Sequence, residues 1–188
     1  PHRLSKMLAT QGYATLALQY FDAPGLPDSL RDIPLGYFES ATHWLTNQPA
    51  VHDTGIGLIG VSRGVEAALL TASIYDGPAT VIGYSGSGVV GHGVRGVPPS
   101  AFVSQPAWTH DGNPVARSAP IGTVFDTLEE IYQHRCDVRS LPSKIRSQMP
   151  GKTLEKTLVP VSEIDGPILL LAGVDDREWP SAPLSAVT

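Results

Sequence analysis

The sequence is short of cysteine, of charge and of long apolar runs, and each shortage removes a class of protein. Its single cysteine, Cys136, cannot form an internal disulfide. An oxidising compartment is therefore not called for, and a cytoplasmic location is expected, with a peroxisome or mitochondrion as the alternative. Cys136 stands in the polar run His134-Arg135-Cys136-Asp137, with no glycines around it, and is read as structural. Charged residues make up 16% of the chain, 13 basic against 18 acidic, for a formal net charge of -5. The basic residues are scattered, whereas binding a polyanion needs them clustered, so nucleic acid is not an expected partner. No apolar run approaches the length of about 20 residues that a membrane span needs, and none is expected. The first residues, Pro1-His2-Arg3, carry neither an initiator methionine nor the start of a signal peptide. The last, Pro183 to Thr188, continue no strand or helix pattern, and both ends are read as cuts through a longer domain.

What the chain has in plenty is apolar residues, 41%, together with 19 glycines and 17 prolines in 188 residues. That is enough to bury one core, and a single partial domain over residues 1–188 is expected. Four short apolar runs stand out, Ala14 to Phe21, Gly55 to Val61, Ala79 to Tyr84 and Pro167 to Gly173. The last three are nearly unbroken, as expected of parallel strands buried on both faces, with Gly55 to Val61 central in the sheet. In the first, Thr15 and Gln19 interrupt the pattern. Between the runs lie helical stripes: Leu4, Met7 and Leu8, ending at Gly12; Tyr37, Phe38, Ala41, Trp44 and Leu45, ending before Pro49; and Val65, Ala68, Leu69 and Ala72. Helices alternating with strands imply an α/β fold with a doubly wound, mainly parallel sheet. Residues 85–165 form a Gly- and Pro-rich, irregular excursion with one helix expected near Thr123 to His134; it is read either as a lid over a pocket or as a connection with no contact to substrate.

The chemistry-bearing motif is Gly60-Val61-Ser62-Arg63-Gly64. It lies between the second apolar run and the third helical stripe, where a nucleophile elbow belongs. Such an elbow turns so sharply that the serine takes strained dihedrals and the residues two positions to either side must lack side chains, as Gly60 and Gly64 do. Ser62 is then the candidate nucleophile at a helix N-terminus, and the backbone N–H of Arg63 a candidate oxyanion donor. A second cluster, Ser85-Gly86-Ser87-Gly88, follows a strand but precedes no helix and is read as a flexible turn.

A serine needs a base to take its proton, and the base a carboxylate to orient it. On this fold the chain order is serine, acid, histidine, with the acid after the next long strand. There the sequence reads Gly173-Val174-Asp175-Asp176; Asp176 is the candidate acid and Asp175 the second choice. All six histidines, at positions 2, 43, 52, 92, 110 and 134, precede it, so none stands in the expected order; the base is expected on a segment outside the chain, the alternative being His92 or His110 brought to the site by a fold of the excursion.

At these residues the sequence resembles the family of acyl-CoA thioesterases and bile acid-CoA:amino acid N-acyltransferases. The resemblance runs through Leu8 to Ala14, Tyr37 to Ala41, Gly57 to Glu66 and, most specifically, Gly166 to Ser181 with its Asp175-Asp176-Arg177-Glu178-Trp179. It implies an α/β-hydrolase catalytic domain in which Ser62 hydrolyses fatty acyl-CoA thioesters, a cysteine there marking the N-acyltransferase. It also implies Asp176 as the acid, a histidine beyond Thr188, a second oxyanion donor and a β-sandwich domain ahead of Pro1, an acyl-CoA as the small-molecule partner, and no cofactor or metal. Val65, where the family usually has glycine, and Glu178 depart from its pattern. A plain carboxylic-ester hydrolase of the dienelactone-hydrolase type and a catalytically incomplete fragment are the alternatives.

Overall fold

The computed structural model describes residues 2–52, 55–95, 102–115, 156–176 and 181–186. Helix α1 (His2–Ala9) leads to β1 (Ile33–Pro34), α2 (Gly36–Thr46), β2 (Ile56–Val61), α3 (Arg63–Ile74) and β3 (Pro78–Tyr84). Short strands β4 (His92–Val94), β5 (Phe102–Pro106), β6 (Trp108–His110) and β7 (Asn113–Pro114) follow, then β8 (Ile168–Leu171) and α4 (Ser181–Ser185). Three of the four expected strand regions and all three helical stripes are present. Helix α1 ends as expected: Gly12, at φ 89°, takes the left-handed position, and its N–H donates to the Ala9 carbonyl.

The sheet that positions the site is parallel, in the order β2-β3-β8. Its register pairs Val61 with Tyr84 and Tyr84 with Leu171, so the C-terminal ends of all three strands finish level. The βα turn into α3, its crossing from β2 to β3 and the parallel pairing of all three strands make the fold α/β, of the α/β-hydrolase type. Helix α3 lies on one face of this sheet, burying Val65, Ala67, Ala68, Leu69, Leu70 and Ala72. Val81, Trp108, Ile33 and Leu35 join that core. Val65 fills space that two glycines leave open, for a Cβ on Gly86 would come within 2.3 Å of it.

Four expectations about the sheet and its connections differ from the structure. The run Ala14 to Phe21 forms no ladder; Gln19 Nε2 donates to the carbonyls of Phe21 and Asp22, and its own carbonyl accepts from the Tyr37 hydroxyl at 3.0 Å, so its polar groups are engaged locally. In consequence β2 is an edge strand of the described sheet, and β3 is the central one. Nor is the sheet buried on both faces. The face away from α3 presents Val61 (60% exposed), Tyr84 (40%) and Leu169 (50%), along with Ile59 and Leu171. The excursion, finally, is more regular than expected: β4 pairs antiparallel with β5, and β6 pairs with both β1 and β7. The expected helix at Thr123 to His134 and Cys136 lie outside the described residues.

Candidate active site

At the end of β2 the chain reverses within one residue. Ser62 has φ 53° and ψ -123°, and α3 starts at Arg63. A non-glycine residue in this region of dihedral space costs about 1–3 kcal/mol, so the surroundings must enforce it. Two hydrogen bonds do so: the Ser62 N–H donates to the Tyr84 carbonyl at 2.9 Å, and the Val65 N–H to the Ser62 carbonyl at 3.0 Å. Packing does the rest, since a Cβ on Gly60 would sit 2.3 Å from the Gly64 carbonyl oxygen. Gly64 itself is under no such constraint; a Cβ there would meet only the Tyr20 hydroxyl, at 3.8 Å. The elbow thus needs glycine on its strand side, not on its helix side.

The first turn of α3 is held from behind by a charged network that was not anticipated. Glu66 is 1% exposed, and its carboxylate accepts from the Arg63 guanidinium, from the Gly91 N–H at 3.0 Å and from Trp108 Nε1 at 3.1 Å. Arg63 Nη2 donates in turn to the His92 carbonyl at 2.8 Å. Burial pushes the Glu66 carboxyl above the usual glutamate range, against the pull of Arg63 and the two N–H donors. Burial likewise raises the Tyr20 phenol, whose ring stacks obliquely on Phe38 and Trp108 beside this pair. A hint was available in the sequence: Arg63 and Glu66 are three apart on a helix whose inward stripe, Val65, Ala68, Leu69 and Ala72, is apolar. Nothing in it pointed to Trp108 or Gly91 as partners.

The loop after β3, expected to be a flexible turn, is pinned. The Ser85 N–H donates to the Leu171 carbonyl at 2.8 Å, the Gly88 N–H to the Leu184 carbonyl at 3.1 Å, and the buried Ser87 hydroxyl bridges the Val89 N–H and carbonyl. These bonds hold the edge of the sheet where β2, β3 and β8 end together.

Asp175 and Asp176 follow β8 at that same edge. The Asp176 N–H donates to the Gly173 carbonyl at 3.3 Å, closing the turn, and its Oδ2 accepts from the Ser181 hydroxyl at 2.8 Å. Ser181 is fully buried at the start of α4, Asp176 is half-buried, and Asp175 is exposed. Ser181 was not singled out from the sequence. Glu178 and Trp179 lie outside the described residues. Of the histidines, His43 is on α2 near Glu39, His110 packs edge-on against Tyr75, His92 is on β4, and His134 lies outside the described residues.

A level parallel sheet, a strained serine at a strand-to-helix turn and a carboxylate turn at the same edge define an α/β-hydrolase-type domain. Comparison with known proteins narrows the class: residues 33–187 match the profile described as "BAAT / Acyl-CoA thioester hydrolase C terminal", and the chain belongs to that family. It is similar to the mouse peroxisomal succinyl-coenzyme A thioesterase, 27% identical over 93% of this chain and 37% of that protein. The mouse mitochondrial acyl-coenzyme A thioesterase 2 is 29% identical over 94% of this chain and 34% of that protein. Mouse acyl-coenzyme A thioesterase 1 is 30% identical over 94% of this chain and 37% of that protein. The chain therefore spans little more than a third of the length of these relatives. Among the described residues no helix is long and apolar enough to cross a membrane.

Proposed function

We propose that the chain is the catalytic part of an acyl-CoA thioester hydrolase in which Ser62 is the nucleophile. The observation that carries this reading is the backbone of Ser62, held at φ 53° between the end of a parallel strand and the start of a helix. A hydroxyl so placed stands at a helix N-terminus, where backbone N–H groups favour developing negative charge. Ser62 Oγ attacks the thioester carbonyl, the Arg63 N–H donates to the oxyanion, coenzyme A leaves as the thiol, and water releases the acyl group as a carboxylic acid. Asp176 is the carboxylate that orients the base; its half-buried place and its bond from Ser181 favour it over exposed Asp175. The base is a histidine carried by the longer protein after Asp176. The acyl group is proposed to be a fatty acyl chain, by kinship with the thioesterases. The peroxisomal and mitochondrial names of two relatives are in keeping with an organelle location for this protein.

The test compares release of free thiol from a long-chain acyl-CoA with hydrolysis of a p-nitrophenyl ester, by the full-length protein and by the 188-residue chain. The full-length protein is expected to prefer the acyl-CoA, and the 188-residue chain to be nearly inactive on both, because loss of the base alone costs on the order of 10⁶ in a serine hydrolase. Equal turnover by the two proteins would show that the base lies within residues 1–188. A preference for the simple ester would remove the thioesterase assignment.

A further inference from the structure

A fully buried carboxylate beside a nucleophile is unusual, because an ionised carboxylate without partners is very costly to bury, while an apolar residue at the same helix position would add to the core. Glu66 is retained inside a helix whose neighbouring residues from Val65 to Ala72 are buried, and each of its oxygens is used. Oε1 faces the Arg63 guanidinium, while Oε2 takes both the Gly91 N–H and the Trp108 indole N–H. The guanidinium, extended from the residue next to Ser62, is held at its other nitrogen by the His92 carbonyl. Gly91 makes room for it, since a Cβ there would lie 2.1 Å from Arg63 Nη1. Three separate parts of the chain, the first turn of α3, the loop into β4 and strand β6, therefore meet on one carboxylate.

We infer that Glu66 is a positioning residue for the elbow: by clamping the Arg63 side chain against the 91–92 loop and Trp108, it fixes the peptide that joins Ser62 to Arg63, and with it both the serine hydroxyl and the oxyanion-donating N–H. The inference rests on the reading of Ser62 as nucleophile. Its physical content is rotational. Arg63 begins α3, where no preceding helical turn holds its backbone, so the direction of its N–H depends on the side-chain anchor and on the two Ser62 hydrogen bonds. Glutamine cannot replace the carboxylate in this role. It has one acceptor oxygen, so its NH₂ group must face either Arg63 or the Gly91 and Trp108 donors, placing donor against donor. The neutral side chain is nevertheless tolerated by burial, which is why Glu66→Gln is a usable variant.

The experiment measures, on the full-length protein, the rate at which a fluorophosphonate labels Ser62, with the labelled residue identified by peptide mass spectrometry, alongside kcat and KM for an acyl-CoA and the melting temperature. For Glu66→Gln the expected result is a labelling rate and a kcat both reduced about tenfold or more, with KM within about twofold and the melting transition retained. Trp108→Phe, which removes one donor and keeps the aromatic packing, should show a smaller loss in the same two rates. It serves as the primary variant if Glu66→Gln does not fold. Unchanged labelling at Ser62 in a folded Glu66→Gln protein, or a rise in KM with kcat intact, would overturn the positioning role and leave the nucleophile standing. Failure of the wild-type protein to label at Ser62 would instead overturn the reading of the nucleophile beneath it.

Discussion

At the scale of single residues, the two glycines of the elbow motif have unlike roles. Gly60→Ala drives a methyl into the Gly64 carbonyl, and overpacking of this kind costs about 1–3 kcal/mol. Gly64→Ala meets only ordinary contact and has helix propensity in its favour. Denaturant unfolding of the two variants should therefore show a clear loss for the first and little change or a slight gain for the second; equal losses would mean that the motif's symmetry is structural after all. Ser181→Ala removes the hydroxyl that donates to Asp176. A hydrogen bond to a charged group contributes about 1.5–3 kcal/mol, so kcat should fall about tenfold if Asp176 orients the base. An unchanged kcat would point to another carboxylate. Glu66 also has a pH signature. Its carboxyl holds its proton more tightly in the folded state than in the unfolded one, so its contribution to stability is greatest in acid and declines as pH rises above the ordinary glutamate range, levelling once the folded carboxyl ionises. The difference in unfolding free energy between wild type and Glu66→Gln should move in that direction, and a rise with pH would contradict the burial account.

At the scale of elements, α3 and β3 carry the domain. Leu69 on α3 is fully buried, whereas Leu169 on β8 faces solvent at 50% exposure. Leu69→Ala should cost about 2–5 kcal/mol by cavity formation, and Leu169→Ala well under 1 kcal/mol, in chemical denaturation of the 188-residue chain. Similar losses at both positions would show that the outer face of the sheet is covered in solution. The same elements explain what could be read in advance. Unbroken runs such as Ile56 to Val61 and the small-residue stripe of α3 announce strand and helix because one period dominates. The segment 14–21 did not form a strand because strand propensity is a prior that the partner decides, and here the polar groups of Gln19 found bonds close by. Short pairs such as Ile33–Pro34 with Trp108–His110 join positions about 75 residues apart, a match that no local period encodes. The strand-to-helix turn at Gly60, Ser62 and Arg63 and the turn after β8 that carries Asp176 were legible because turn chemistry and strand order constrain them. The Glu66 network was not, because three of its members meet only in the folded chain.

At the scale of the whole molecule, the described sheet is three strands wide, has one apolar face in solvent and ends level at the edge that carries Ser62 and the Asp176 turn. The chain spans little more than a third of the length of the relatives it matches, so the activity argued from this domain is proposed for the full-length protein. Every step of the account passes through one oxygen atom. The most direct measurement is the rate of thiol release from a long-chain acyl-CoA by full-length protein carrying Ser62→Ala, with folding checked by its melting transition. The account predicts a loss of about 10⁵ to 10⁶ in kcat with the fold intact. A folded Ser62→Ala protein that hydrolyses the thioester within tenfold of the wild-type rate would contradict it.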